Sequence, residues 1–189
     1  MKKFEDDIIN SLNVLEQGGI ILYPTDTIWG IGCDATNSNA IKKIYQLKKR
    51  EEKKSVIILL AHKSDIKNYV LHPSKKIIDF LTEQKKPTTA IFEKAVNLPG
   101  ELIGSDGSIA IRIVKDEFCK ILLQRLQKPL VSTSANISGD ASPENFEMIN
   151  TKIRNGVDYI VQHRQNELQI FQPSSIIKLN SLEEIEKIR

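Results

Sequence analysis

The sequence predicts an α/β fold, a mixed and twisted sheet with helices on its faces. Three observations carry this. Segments with helical periodicity alternate with short apolar runs along most of the chain. One such run, "SVIILLA" at 55–61, is apolar almost throughout, as a strand covered on both faces requires. The alternation also lacks strict β-α-β regularity, so a purely parallel sheet is not expected.

Taken in order, Ile8, Ile9, Leu12 and Leu15 recur on one face of a helix from Asp6 to Gln17, which Gly18-Gly19 ends. "IILY" (20–23) is a buried strand stopped by Pro24, and "PTDTIWGIGCDA" (24–35) is a glycine-bearing loop. A helix over Asn39–Lys49 turns Ile41, Ile44, Tyr45 and Leu47 inward. The strand at 55–61 is followed by two helices, Asp65–Tyr69 and Ser74–Glu83. "TTAIF" (88–92) and "SIAIRIV" (108–114) read as strands, and Asp116 caps a helix reaching Leu126. "PLVST" (129–133) is a strand, and Pro143 opens a short helix over "PENFEMIN" (143–150). "VDYIV" (157–161) and "SSIIKL" (174–179) are strands, and Ser181 caps a last helix, "LEEIEKI" (182–188).

The 189 residues fit one domain spanning 1–189, with no internal repeat or linker. Apolar content of 40% and charged content of 27% exclude a disordered or fibrous chain. No apolar run approaches the roughly 20 residues that span a bilayer, and the N-terminus is too acidic for a signal peptide. Cys33 and Cys119 lie far apart, which fits a reducing cytoplasm and makes the sequon Asn136-Ile137-Ser138 coincidental. His62, His72 and His163 match no metal-ligand spacing, and no nucleophilic triad is suggested. The net charge is only +3, yet "KKIYQLKKREEKK" (42–54) sets seven Lys/Arg against two Glu. Such crowding suits either a solvated helix end or an anion site.

Four strand-end segments are polar beyond what packing requires. In "YPTDTIWGIG", Thr25, Asp26 and Thr27 offer hydroxyls and a carboxylate, though the pattern also fits a plain tight turn. Lys48 and Arg50 can converge on one anion if the chain leaves helical geometry there. Arg112 sits in an apolar strand and needs a carboxylate or phosphate; an internal Asp or Glu is the commoner partner. Ser132, Ser134 and Asn136 alternate and can face one side of a strand running into a loop. Anion binders and hydroxyls without a protein nucleophile suit a reaction between two bound substrates, driven by positioning and charge stabilisation at phosphate.

"YPTDTIWGIGCDA", Lys48-Lys49-Arg50, "SIAIRI", "VSTSANISGDASP" and "QPSSII" occur in the order and spacing of YrdC-like proteins, and the chain resembles these threonylcarbamoyl-AMP synthases over nearly its whole length. The resemblance implies a YrdC-like fold with an open, basic concave cleft. It implies synthesis of L-threonylcarbamoyladenylate and pyrophosphate from L-threonine, bicarbonate and ATP with Mg2+, in the cytoplasm, for tRNA threonylcarbamoyladenosine modification. It also implies tRNA contact and downstream tRNA threonylcarbamoyl-transfer proteins as partners, and no membrane. By motif, Lys48, Arg50, Ser108, Ser134, Asn136, Ser142 and Arg189 are implied for ATP, with Lys48 and Arg50 catalytic. Thr25, Arg112, Ser132 and Ser174 are implied around threonine. No protein metal ligand is implied. Departures from the family pattern are Glu51 for a proline, Trp29 for Tyr or Phe, and Gln84-Lys85-Lys86 for Trp-Pro-Gly. The extra C-terminal domain of longer synthases is not expected. The competing expectation is an RNA- or tRNA-binding protein of the same fold without adenylate synthesis. It leaves Arg112 and Ser134-x-Asn136 without a task, and the 6% aromatic content offers little for base stacking.

Overall fold

A computed structural model describes residues 4–50, 56–167 and 172–188. The elements are α1 (Glu5–Glu16), β1 (Ile21–Tyr23), β2 (Gly30–Gly32), α2 (Ser38–Lys48), β3 (Ile57–Leu60), α3 (Lys75–Glu83) and β4 (Thr88–Phe92). They continue with β5 (Ile109–Ile113), α4 (Glu117–Leu126), β6 (Leu130–Ser134), α5 (Thr151–Asn155), β7 (Tyr159–Ile160), β8 (Ser175–Leu179) and β9 (Ile185–Lys187). Short 3-10 turns occupy Lys63–Asn68 and Gly100–Leu102. Among the described residues the strands form one sheet in the order β7-β1-β2-β6-β3-β5-β4-β8-β9. The pairs β1/β7, β3/β5 and β4/β8 are parallel and the others antiparallel, so the sheet is mixed as expected.

Period-two alternation divides the strand side chains between two cores. Ile58, Leu60, Ile109, Ile111 and Val131 pack with Ile41 and Ile44 of α2 and Ile77 and Leu81 of α3. Leu59, Leu130, Ile21 and Tyr23 pack on the other face against Ile8 and Leu15 of α1 and Phe118 and Leu122 of α4. Arg112 is registered between Leu59 and Thr89, and Ser132 and Ser134 follow Leu130 at every second position. These polar residues therefore share the face that α1 and α4 cover elsewhere. Where they replace apolar ones, the sheet meets a cavity instead of a helix.

Most predicted elements stand within about two residues of their expected bounds. The expected loop at 24–35, however, contains β2. A Cβ on Gly32 would lie 2.6 Å from the Val131 carbonyl oxygen and 2.8 Å from the Tyr23 ring, so this strand fits between β1 and β6 only without a side chain. The helix expected at 65–69 is part of the 3-10 turn. Residues 143–150 form turns rather than the expected helix. There the Asn145 side-chain oxygen accepts from the Met148 amide at 3.2 Å, a local bond that competes with helix formation. Helical residues begin only at Thr151, where Asn150 accepts from the Lys152 amide. The last expected helix is a hairpin. Asn180, not Ser181, supplies the side-chain oxygen, accepting from the Leu182 and Glu184 amides at 2.9 Å. Glu183 turns through φ 57°, and β9 joins the ladder of β8. A helix of seven residues is marginal by itself, and ladder pairing of Ile185 with Leu179 wins.

Candidate active site

The cavity has a volume of about 240 Å³, and its walls come from β2, β5, β6 and the segment entering β8. Of the residues singled out in the sequence, Arg50, Arg112, Ser132, Ser134, Ser142 and Ser174 line it. Thr25, Lys48 and Asn136 stand immediately behind, bonded to lining residues. Ser108 does not line it. It precedes β5 in a turn where its amide donates to Asp106 Oδ1 at 3.0 Å and its carbonyl accepts from the Gly104 amide at 2.8 Å. Arg189 lies outside the described residues.

Lys48 and the Ser134-x-Asn136 motif form one unit. Lys48 is only 1% exposed, and its ammonium donates to the carbonyls of Ser134 at 2.5 Å and Asn136 at 2.6 Å, and to Asn136 Oδ1 at 3.3 Å. The Ser138 amide donates back to the Lys48 carbonyl at 2.8 Å. Ser134 Oγ donates to Asn136 Oδ1 at 2.5 Å, and Asn136 Nδ2 donates to the Asp140 carbonyl at 2.6 Å. The chain does leave helical geometry here, since Lys49 takes φ 50° at the end of α2. Lys48 thus grips the loop while Arg50 reaches the cavity wall. Burial, and secondarily the charge of Arg50, lowers the Lys48 ammonium to about 7, and burial lowers Arg50 as well.

Arg112 is 2% exposed. Its Nη1 donates to Thr27 Oγ1 at 3.0 Å; Thr27 and Thr25 share a 2.8 Å hydroxyl contact, and Thr25 Oγ1 donates to the Ile28 carbonyl at 2.8 Å. Its Nη2 stands 3.4 Å from Asp26 Oδ1, so an internal carboxylate partner is present. On the next strand Thr89 Oγ1 lies 2.8 Å from Ser174 Oγ, orienting that hydroxyl at the cavity edge. Thr89 was not among the candidate site residues read from the sequence, and Asp26 and Thr27 were read only as polar groups of a strand-end segment, with no ligand assigned to them. The Thr25-Asp26-Thr27 run signalled polar groups at a strand end, but only the β4/β5 register and the loop's path reveal which groups meet Arg112. Trp29, also on the wall, packs on Phe146 with ring centroids 4.9 Å apart.

The chemistry offered is that of paired subsites: buried hydroxyls around one guanidinium, and a second guanidinium beside a fixed polar loop. Among the described residues no three acidic, histidine or cysteine side chains gather to hold a metal ion. No helix among them is long and apolar enough to cross a membrane.

The family profile for Sua5, YciO and YrdC, described as telomere recombination, matches residues 13–189. The chain belongs to the Sua5/YciO/YrdC family. Among relatives, the threonylcarbamoyl-AMP synthase of Pseudoalteromonas translucida (strain TAC 125) is 31% identical over 160 residues, 83% of this chain and 86% of the relative. That of Blochmanniella pennsylvanica (strain BPEN) is 34% identical over 143 residues, 74% of this chain and 73% of the relative. Solved members carry the same fold. P. abyssi Sua5 complexed with L-threonine superposes with a TM-score of 0.87 at 21% identity, covering 100% of this chain. E. coli YciO gives 0.81 at 21% identity, covering 97% of this chain and 88% of its own. This family member spans about half, 55%, of the P. abyssi protein's length.

Proposed function

We propose that this chain is an L-threonylcarbamoyladenylate synthase, joining L-threonine, bicarbonate and ATP with release of pyrophosphate. The observation that carries the reading is a single cavity lined by both Arg112, with its threonine hydroxyls, and Arg50, beside the Ser134–Asn136 loop. One guanidinium suits an amino-acid carboxylate and the other suits phosphate. Relatives named threonylcarbamoyl-AMP synthase support the same activity.

Threonine's carboxylate meets Arg112, with Thr25, Ser132 and Ser174 around the amino acid. ATP lies along Arg50, Ser134, Asn136 and Ser142, its magnesium entering as part of the nucleotide substrate. Ser108 and Arg189 are further candidates for the nucleotide. The threonine ammonium gives up a proton to solvent, and the free amine and bicarbonate form a carbamate and water. A carbamate oxygen then attacks the α-phosphate in line, and the bond to pyrophosphate breaks. Arg50 stabilises charge on the phosphates, and Lys48 holds the loop that presents Ser134 and Asn136 to them. The product is an adenylate for tRNA threonylcarbamoyladenosine synthesis in the cytoplasm, with tRNA and the transfer proteins as partners.

The test is incubation with ATP, magnesium, bicarbonate and each amino acid in turn, reading pyrophosphate and the adenylate's mass. Turnover with threonine is expected. Salt-sensitive RNA binding without any turnover would instead establish the RNA-binding alternative.

A further inference from the structure

The Arg112 part of the cavity carries a carboxylate for which the proposed reaction has no direct role. Asp26 Oδ1 lies 3.4 Å from Arg112 Nη2, and the two side chains are 12% and 3% exposed. Among the described residues, both Asp26 oxygens and Arg112 Nε are buried without a hydrogen-bond partner. A carboxylate that anchors an arginine by hydrogen bonds sits at about 2.7–2.9 Å, often as a two-pronged fork. Asp26 stands farther off, where its charge still acts but its geometry fixes little. Its oxygens are closed to a solute in the cavity, so it does not hold the ligand itself. The effect left to it is to cancel the charge of Arg112.

We infer that Asp26 is a specificity-determining counter-charge, making the Arg112 subsite net neutral and therefore suited to a zwitterionic amino acid rather than to an anion. A lone buried guanidinium would attract phosphate, pyrophosphate or the nucleotide's own triphosphate as readily as a carboxylate. With Asp26 behind it, an amino acid that brings one charge of each sign keeps the subsite balanced. An anion leaves an excess negative charge in a poorly solvated pocket. Arg50, on another part of the cavity wall, remains the place for phosphates. This inference rests on the synthase reading and adds the residue that keeps the two substrates in their own subsites.

The test uses inorganic phosphate as the probe against threonine-dependent pyrophosphate release, with threonine varied at saturating ATP. For Asp26→Asn, phosphate should compete with threonine with an inhibition constant about tenfold lower than in the wild type, from removing one like charge a few ångströms away. Asp26→Glu, which keeps the charge, should retain the wild-type value. A residue that merely supports the loop would lower kcat in proportion to the folded fraction and leave phosphate inhibition unmoved. Equal phosphate inhibition in wild type and Asp26→Asn overturns the role of Asp26 while leaving the synthase reading intact. If Asp26→Asn does not fold, the wild type decides: phosphate competing with threonine at concentrations near the threonine KM overturns the inference, and weak competition supports it. A wild type with no threonine-dependent turnover overturns the synthase reading and this inference with it.

Discussion

Replacing Lys48 by methionine should change how stability depends on pH, and the direction follows from its surroundings. In the unfolded chain the ammonium titrates near 10.5, whereas burial and then Arg50 bring it to about 7 in the fold. Between those values the unfolded state binds the extra proton, so stability rises with pH across that window. Above 10.5 neither state is protonated and the contribution is whole; it is lost progressively as pH falls toward 7, below which no more is lost. The slope approaches 1.36 kcal/mol per pH unit, so wild type should gain about 2–3 kcal/mol relative to Lys48→Met between pH 7 and 9.5. Other groups titrate alike in both proteins and cancel in the difference. Methionine also leaves the Asn136 carbonyl without its Lys48 donor, which adds a pH-independent cost of about 1–3 kcal/mol where water cannot reach it, while the Ser134 carbonyl keeps the bond from the Asn136 amide at 2.9 Å. The assay is urea unfolding of both proteins at several pH values, checked for unchanged m-values. Parallel stability curves from pH 7 to 9.5 would refute the reasoning, since they would mean that Lys48 titrates normally in the fold.

Three further outcomes are expected. Arg112→Lys keeps the charge opposite Asp26 but loses the planar fork, so the threonine KM should rise about 10–100-fold with little change in the ATP KM, measured by steady-state pyrophosphate release. Asn136→Ala removes its bonds to Lys48, Ser134 and Asp140, and should raise the ATP KM about tenfold while the threonine KM moves less than about threefold. Gly32→Ala would push a methyl group against the Val131 carbonyl and the Tyr23 ring and should cost about 2–4 kcal/mol by thermal unfolding. Gly100→Ala meets nothing within 4 Å and should stay within about 0.5 kcal/mol of wild type.

Much of this fold is legible in the sequence because the helices and central strands are specified locally. The apolar face of α1, the Asp116 cap of α4 and the apolar run of β3 each need no distant partner to be read. What escaped detection is held by contacts distant in sequence or by one side-chain bond. β2 has two glycines in three residues, and only the carbonyl of Val131 and the ring of Tyr23 on either side explain why one of them is Gly32. The turns at 143–150 and the final hairpin each depend on an asparagine oxygen that competes with helix formation. The site divides in the same way. Arg112 announced itself as a buried cation, and the alternation of Ser132 and Ser134 does place both on one face, whereas Asn136 lies past the end of β6 and behind the cavity wall. The sequence could not tell that Lys48 turns into the loop while Arg50 lines the cavity, because a single left-handed residue, Lys49, separates their directions. Nor could it choose Asp26 as the carboxylate facing Arg112.

A crystal structure with L-threonine and a non-hydrolysable ATP analogue bound together tests the division of the cavity most directly. The threonine carboxylate should lie within hydrogen-bond distance of the Arg112 guanidinium, with the triphosphate at Arg50 and the Ser134–Asn136 loop. A triphosphate seated on Arg112, or threonine bound outside this cavity, would contradict it.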